Sequence, residues 1–262
     1  MYGMFYTNSS AMQAQQNKLD IISNNITNSQ TTGYKKLSSS FQDLYVSSLD
    51  KLGIPISKDA DSNLYIGTGV KSTEAVRIRT QGSLTNTKLT TDLAIDGQGL
   101  FKVYKADGSV GYTRNGNFKV DALGTLVDGN GYRLSILDAN GRELNTPEGP
   151  INFGKDSFSV DAGGAVSLEN NGSTIKIGEI KTYKTVGDED FISVGENLFA
   201  PKDGATVIET MDRDIYQGYL ENSNVDISTE MTDMIVTQRA FQLSSSALKT
   251  ADDMWQMINN LR

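Results

Sequence analysis

The sequence predicts a mainly β central region of antiparallel hairpins, flanked by long N- and C-terminal α-helices that pair with each other. Three observations lead there. Glycine is crowded into the middle: the first 32 residues hold only Gly3, and the last 44, from Tyr219 on, hold none. Within that middle, glycine recurs beside Asp or Asn, as in "KADGSVG", "RNGNF", "VDGNGY", "DANGRE", "DAGGAV" and "ENNGST". These residues tolerate positive φ and suit hairpin turns. At both ends, apolar residues return every seven positions instead.

At the N-terminus Phe5, Met12, Leu19 and Ile26 are seven apart, with Ile22 filling the adjacent turn, so they fall on one helical stripe. The polar stretch "SNNITNSQTTGYKK" follows, and its Gly33 is expected to end whatever helix precedes it. Residues 1–36, helix and motif, form the first segment and pair with 222–262. Residues 37–80 read as a connecting segment: an ambiguous start, an exposed loop around Pro55 to Asn63, then strand pattern from Val70 to Arg79.

Residues 81–221 carry the β pattern. Strands are expected at Leu100 to Tyr104, Gly111 to Thr113, Phe118 to Val120, Thr125 to Val127 and Tyr132 to Leu137. A second series is expected at Phe158 to Val160, Ala165 to Leu168, Ser173 to Thr182 and Thr206 to Glu209.

The C-terminal helix is expected from Asp226. Met234, Phe241, Leu248 and Trp255 recur every seven, preceded by Ile227. A displaced row of Ala240, Ala247, Met254 and Leu261, with Ala251 and Ile258 between, broadens that face. Ser223 with Asp226 offers a capping box, or Asp226 caps alone. Ser244, Ser245 and Ser246 cost modest helix propensity in its middle.

Composition narrows the chemistry. With 262 residues the chain can bury one substantial core or two modest ones. It has 32 acidic and 24 basic residues, no histidine and no cysteine, for a formal charge of -8. Nucleic acid is not an expected partner, because no basic stripe offsets phosphate repulsion. Thiol chemistry, disulfides, Cys- or His-based metal sites and imidazole catalysis are excluded by residue type. No cofactor and no metal site are expected. No window reaches the roughly 18 apolar residues of a membrane span, and the N-terminus lacks the pattern of a cleavable secretory signal, so no transmembrane insertion is expected.

The remaining motifs have plain readings. "DGQG" at 96 to 99 is too short for a phosphate loop and lies between strands, so it reads as a tight β turn. "DANGRE" and "DALGTLVDGN" lack the full acidic spacing of a calcium loop and read as hairpin turns. Asp92 with Asp96, or Asp188 with Asp190, could serve a glycan hydrolase only if opposed across a cleft, which closeness in sequence does not establish. An envelope enzyme acting on peptidoglycan is therefore the rival from another class.

Three separated stretches, in order, carry a resemblance that covers the whole chain. They are "MQAQQNKLDIISNNITNSQTTGYKK", "TQGSLTNTKLTTDLAIDGQGLFKV" with "YTRNGNFKVDALGTLVDGNGYRL", and "YQGYLENSNVDISTEMTDMIVTQRAFQLSSSALKTADDMWQMINNLR". The chain resembles the bacterial flagellar basal-body rod and hook axial proteins, most of all the distal rod branch, with proximal rod or hook-type subunits as the alternative. The resemblance implies a non-enzymatic subunit of the axial drive shaft that transmits torque to the hook, in the basal body outside the cytoplasmic membrane. It implies export unfolded through the flagellar type III apparatus and assembly with copies of itself in a helical array. Proximal rod and hook proteins, and surrounding basal-body rings where present, are the further partners it implies.

Matching positions in the N-terminal motif include Asn24, Asn25, Ile26, Asn28, Gly33 and Lys35. In the last helix they include Met234, Gln238, Arg239, Phe241 and Met254. The residues expected to pack subunits together are these helix and motif positions, Lys35 excepted, with Phe5, Met12, Leu19, Ile22, Ile227, Leu248, Trp255 and Ile258. The helix carries few charges, Asp226, Glu230, Asp233, Asp252 and Asp253 against Arg239, Lys249 and Arg262, and the Asn and Gln side chains of 23–30 are expected to bridge subunits.

Overall fold

The computed structural model describes residues 2–48, 65–146, 153, 158–170, 173–187, 191–210 and 212–260. Asp188, Asp190, Leu261, Arg262 and the predicted loop at Pro55 to Asn63 lie outside the described residues. The chain divides into two compact units. One gathers the described parts of Met1–Thr27, Leu37–Ile78 and Asp226–Arg262, and the other Asn28–Lys36 and Arg79–Val225.

The first unit is built on α1 (Tyr2–Thr27) and α2 (Ile227–Asn260). They run antiparallel, since Phe5 meets Trp255 edge to face at 6.5 Å between ring centroids while Asn25 meets Glu230 at the far end. Neither helix contains proline, and the serine and threonine hydroxyls that would compete with the backbone bond back to it instead. Thr7 donates to the Gly3 carbonyl, Thr27 to that of Ser23 and Thr237 to that of Asp233. The three serines at 244–246 leave α2 unbroken through its 34 residues, a length of about 51 Å.

Asp226 caps α2: its carboxylate accepts from the Ser228 N–H at 2.9 Å and from the Thr229 hydroxyl at 3.0 Å. No Ser223 capping box forms there. The Ser223 hydroxyl accepts from the Val225 N–H, closing a local turn just before the helix. Gly33 does not end α1, which stops at Thr27. The intervening residues make a separate turn in which Thr31 N–H donates to the Asn28 carbonyl.

The connecting segment pairs with itself. Leu37–Ser38 lies against Val76–Arg77, Phe41–Asp43 against Val70–Ser72, and Val46–Ser48 against Tyr65–Gly67, all antiparallel. The partner numbers sum to 114 in the first pair and 113 in the other two, as in Leu37↔Arg77 and Phe41↔Ser72, so this is one ribbon with a single-residue slip. The ribbon is tied to α1 where the Ser10 hydroxyl accepts from the Val70 N–H and where Lys18 lies 5.5 Å from the Phe41 ring centroid.

Every described strand pair of the second unit is antiparallel. Its main sheet has nine strands. Seven run in the order Phe118–Val120, Leu126–Asp128, Arg133–Leu134, Leu100–Tyr104, Val110–Thr113, Leu198–Pro201 and Phe191–Gly195. Thr182–Thr185 also pairs with Leu100–Tyr104, and Val207–Thr210 with Thr182–Thr185. Phe158–Val160, Ala165–Asn170 and Ser173–Glu179 form a three-stranded sheet. Leu93–Gly97 pairs with Arg213–Gln217, and Leu84–Asn86 with Tyr219–Glu221.

Alternation along these strands fills the core. Phe101 and Val103 are buried between half-exposed Leu100, Lys102 and Tyr104, and Phe101 meets Phe118 edge to face at 5.7 Å. Each such side chain contributes about 1.5–3 kcal/mol on burial. Most predicted strands are present, with three corrections. Val70 to Arg79 divides into Val70–Ser72 and Val76–Arg77. Tyr132 to Leu137 shortens to Arg133–Leu134, and Ser173 to Thr182 divides after Glu179, where Leu137 exchanges backbone hydrogen bonds with Glu179.

The turns share one geometry. In Asp121–Thr125, Asp128–Tyr132, Asp138–Arg142 and Asp161–Ala165, the first N–H donates to the fifth carbonyl and the glycine N–H at position four donates back to the aspartate carbonyl. That glycine has φ between +75° and +88° in each, as for Gly141 and Gly164. The aspartate carboxylate accepts from the next N–H, as from Ala122 and Ala139. In these four turns the Asp-Gly and Asn-Gly pairs thus do not form two-residue turns, whereas Asn170 pairs directly with Ser173 and leaves two residues between the paired strands there, as the hairpin reading expects. The working pattern is Asp followed three residues later by a left-handed glycine.

Candidate functional site

The residues predicted to pack subunits are divided between the two units. Asn28 and Gly33 lie in the β unit, and the others lie on the helix pair. There, Ile22 is buried, while Phe5, Met12, Leu19, Ile26, Met234, Phe241, Leu248 and Trp255 are half-buried. Ile227, Gln238, Arg239, Met254 and Ile258 are exposed, as is Asn24. Phe5 and Trp255 of the two heptad rows meet across the helix pair, and Ala14 and Ala251 are buried.

The sequence reading missed a second apolar row on α2. Val236, Leu243 and Met257 are seven or fourteen apart and 62%, 71% and 58% exposed, with Ile235 beside them. Thr250 interrupts the row, which hid it behind the stronger one.

Asn25 is not placed to bridge subunits. It is buried, and its side chain is used inside the helical unit: Nδ2 donates to the Leu37 carbonyl at 2.9 Å and to Glu230 Oε2 at 3.1 Å, while Oδ1 accepts from the Leu37 N–H at 2.9 Å. Glu230, counted among the light surface charge of the helix, is buried with it.

In the β unit, the motif at 28–36 is held by a buried ionic cluster that no local spacing revealed. Lys35 Nζ and Arg114 Nε each donate to one oxygen of the Glu221 carboxylate at 2.5 Å. Glu221 also accepts from the Gly82 N–H, and its backbone carbonyl accepts from the Gly33 N–H at 2.8 Å. Arg114 gives three more of its donors to the carbonyls of Ile95, Gly97 and Gly99, and Lys35 donates to that of Thr80. "DGQG" is a bend between two strands that pair elsewhere, not a phosphate loop, and its glycine carbonyls accept from a guanidinium.

Two cations share one carboxylate here, and this sets both protonation equilibria. Burial pushes the Glu221 carboxyl up, but Arg114 and Lys35 together outweigh it and hold the group below its ordinary value. Burial, with Arg114 nearby, pulls Lys35 below the ordinary lysine value despite Glu221. Gly33 sits against this cluster with φ +68°, and a Cβ there would lie 2.7 Å from the Arg114 backbone carbon.

Of the carboxylates considered for hydrolysis, Asp92 and Asp96 are engaged separately. Asp92 is buried and accepts from the Thr87 hydroxyl at 2.6 Å, whereas exposed Asp96 accepts from Gln81. Among the described residues, no helix is long and apolar enough to cross a membrane.

Comparison with known proteins covers the same regions. The family "Flagella basal body rod protein" matches residues 5–35, "Flagellar hook protein FlgE/F/G D1 domain" residues 94–176, and "Flagellar basal body rod FlgEFG protein C-terminal" residues 216–261. The chain is 34% identical to the flagellar basal-body rod protein FlgG of Borreliella burgdorferi, over all of this chain and 99% of that one. It is also 34% identical to FlgG of Bacillus subtilis, over the full length of both, and 28% identical to the flagellar hook-basal body complex protein FlhP of the same organism, over 98% of each.

Proposed function

This chain belongs to the family of flagellar basal-body rod proteins, and from that premise we infer how its helix pair is used. It is a structural subunit of the flagellar basal body, outside the cytoplasmic membrane, and not an enzyme. Its full-length likeness to FlgG fits the distal rod.

We propose that copies polymerise through the paired helices. The observation that carries this is the outward row of Val236, Leu243 and Met257 with Ile235, apolar side chains left in water by an already paired helix. Such a stripe costs free energy until a neighbour covers it. A helical array supplies that cover through head-to-tail contacts between unlike faces, which repeat without closing.

On this reading Phe5, Met12, Leu19, Ile22, Met234, Phe241, Leu248 and Trp255 first hold the pair together. Exposed Ile227, Gln238, Arg239, Met254 and Ile258 then meet neighbouring copies. Proximal rod and hook proteins at the two ends, the export apparatus during delivery, and surrounding rings where present are the further partners we assign. Deleting residues 226–262 tests the assignment: swimming and recovered basal bodies should be lost, and normal filaments would overturn it.

A further inference from the structure

The apolar rows of α1 and α2 do not by themselves fix how far one helix slides along the other. Phe5, Met12, Leu19 and Ile26 repeat every seven residues, and so do Met234, Phe241, Leu248 and Trp255. A slip of one heptad sets each row against its partner again, and apolar burial falls only at the two ends.

The buried polar groups are not indifferent to such a slip. Asn25 and Glu230 lie at 1% and 4% exposure and meet across the helices at 3.1 Å. Asn25 spends both amide hydrogens, one on Glu230 and one on the Leu37 carbonyl, and accepts from the Leu37 N–H. Thr237 is also buried, but its hydroxyl bonds within its own helix and is satisfied in any register. A slip of seven one way faces Asn25 with Thr237 and carries Glu230 past the end of α1 at Thr27. A slip the other way carries Asn25 beyond the start of α2 at Ile227. Either slip breaks the hydrogen bond and leaves a buried carboxylate without its amide donor.

We propose that Asn25 and Glu230 are positioning residues that set the axial register of the helix pair. Because Leu37 is bound by the same amide, they also set the pair against the ribbon that begins there. This rests on the rod reading for its purpose: subunits that stack indefinitely need helix pairs of one length and one offset, and the polar pair supplies uniformity that apolar repeats lack.

The chain contains no cysteine, so Gln13→Cys and Asn259→Cys introduce a clean pair of spin-label sites at exposed positions on α1 and α2. Pulsed dipolar spectroscopy on the full-length monomer should give one distance in the parent background. With Asn25→Leu and Glu230→Leu together, helix content by circular dichroism should persist while a second population appears, displaced by about 10 Å along the axis. Glu230→Gln, which keeps an acceptor for Asn25, should restore the single distance.

A single unchanged distance in the double leucine variant would overturn the proposal. If that variant does not fold, Glu230→Ala decides in the same way, since it also removes the acceptor. Swimming of the 226–262 deletion reads the rod assignment separately, because the distance measurement needs no assembly.

Discussion

Lys35 and Glu221 are 186 residues apart in sequence and 2.5 Å apart in the structure, with Arg114 on the other carboxylate oxygen. One carboxylate thus balances two buried cations. Replacing Glu221 with alanine takes that balance from Arg114 and Lys35 and is expected to cost about 3–5 kcal/mol in the β unit. Urea unfolding followed through its aromatic residues measures this, and a loss below about 1 kcal/mol, the scale of an exposed pair, would contradict it.

The pH response follows from the direction of the shift. The folded Glu221 carboxyl lies below its unfolded value, so its contribution is fully present above the ordinary glutamate range and is lost as pH falls through the folded value. Asp92, Asp128 and Glu143 work the other way: burial raises each, so their penalty for ionisation disappears on acidification. Parent and Glu221→Gln share these three groups and differ in Glu221 and in the support its charge gives Lys35. Their gap in unfolding free energy should be widest near neutrality and close in acid, and a gap constant across that range would refute the assignment.

Gly33→Ala is expected to destabilise the β unit by about 2–4 kcal/mol, combining left-handed strain of about 1–2 kcal/mol with overpacking against the Arg114 backbone. Thermal melting compares it with Gly108→Ala, a left-handed glycine with open space around it. The Gly108 variant should lose only the strain component.

Two helix substitutions separate pairing from assembly. Phe241→Asp removes a half-buried row member and should lower helical circular dichroism while leaving the β unit folded. Leu243→Glu changes a side chain 71% exposed, and monomer stability should stay within about 0.5 kcal/mol of the parent. Both should abolish swimming when they replace the parent gene, the second without loss of folded protein. Normal swimming with Leu243→Glu would remove the outward row from the assembly surface.

Local patterns were legible and distant partnerships were not. Leu100–Tyr104, Phe118–Val120 and Phe158–Val160 follow from alternation between turn signals, and the heptad rows give both helices. Leu93–Gly97 escaped because Leu93, Ala94 and Ile95 are all buried and show no alternation. Its partner Arg213–Gln217 lies more than a hundred residues away, next to a helix start with a far stronger signal. Asn25 was legible as part of a motif, but its partner Glu230 looked like an ordinary surface acid because nothing within its helix marks burial. Lys35, Arg114 and Glu221 have no common spacing, and only the fold brings them together.

The Asp-to-glycine turns and the ion pair at Glu221 differ in the time they take to form. Each turn closes over five neighbouring residues and can be made within microseconds, as soon as its own stretch of chain is available. The Lys35 partner arrives only after nearly the whole β region has been delivered, and the entropy of gathering so long a loop must be met first. A chain emerging N-terminus first therefore builds its hairpins early and latches the segment at 28–36 near the end. A copy truncated before Glu221 would be left open, with two stranded cations to betray it.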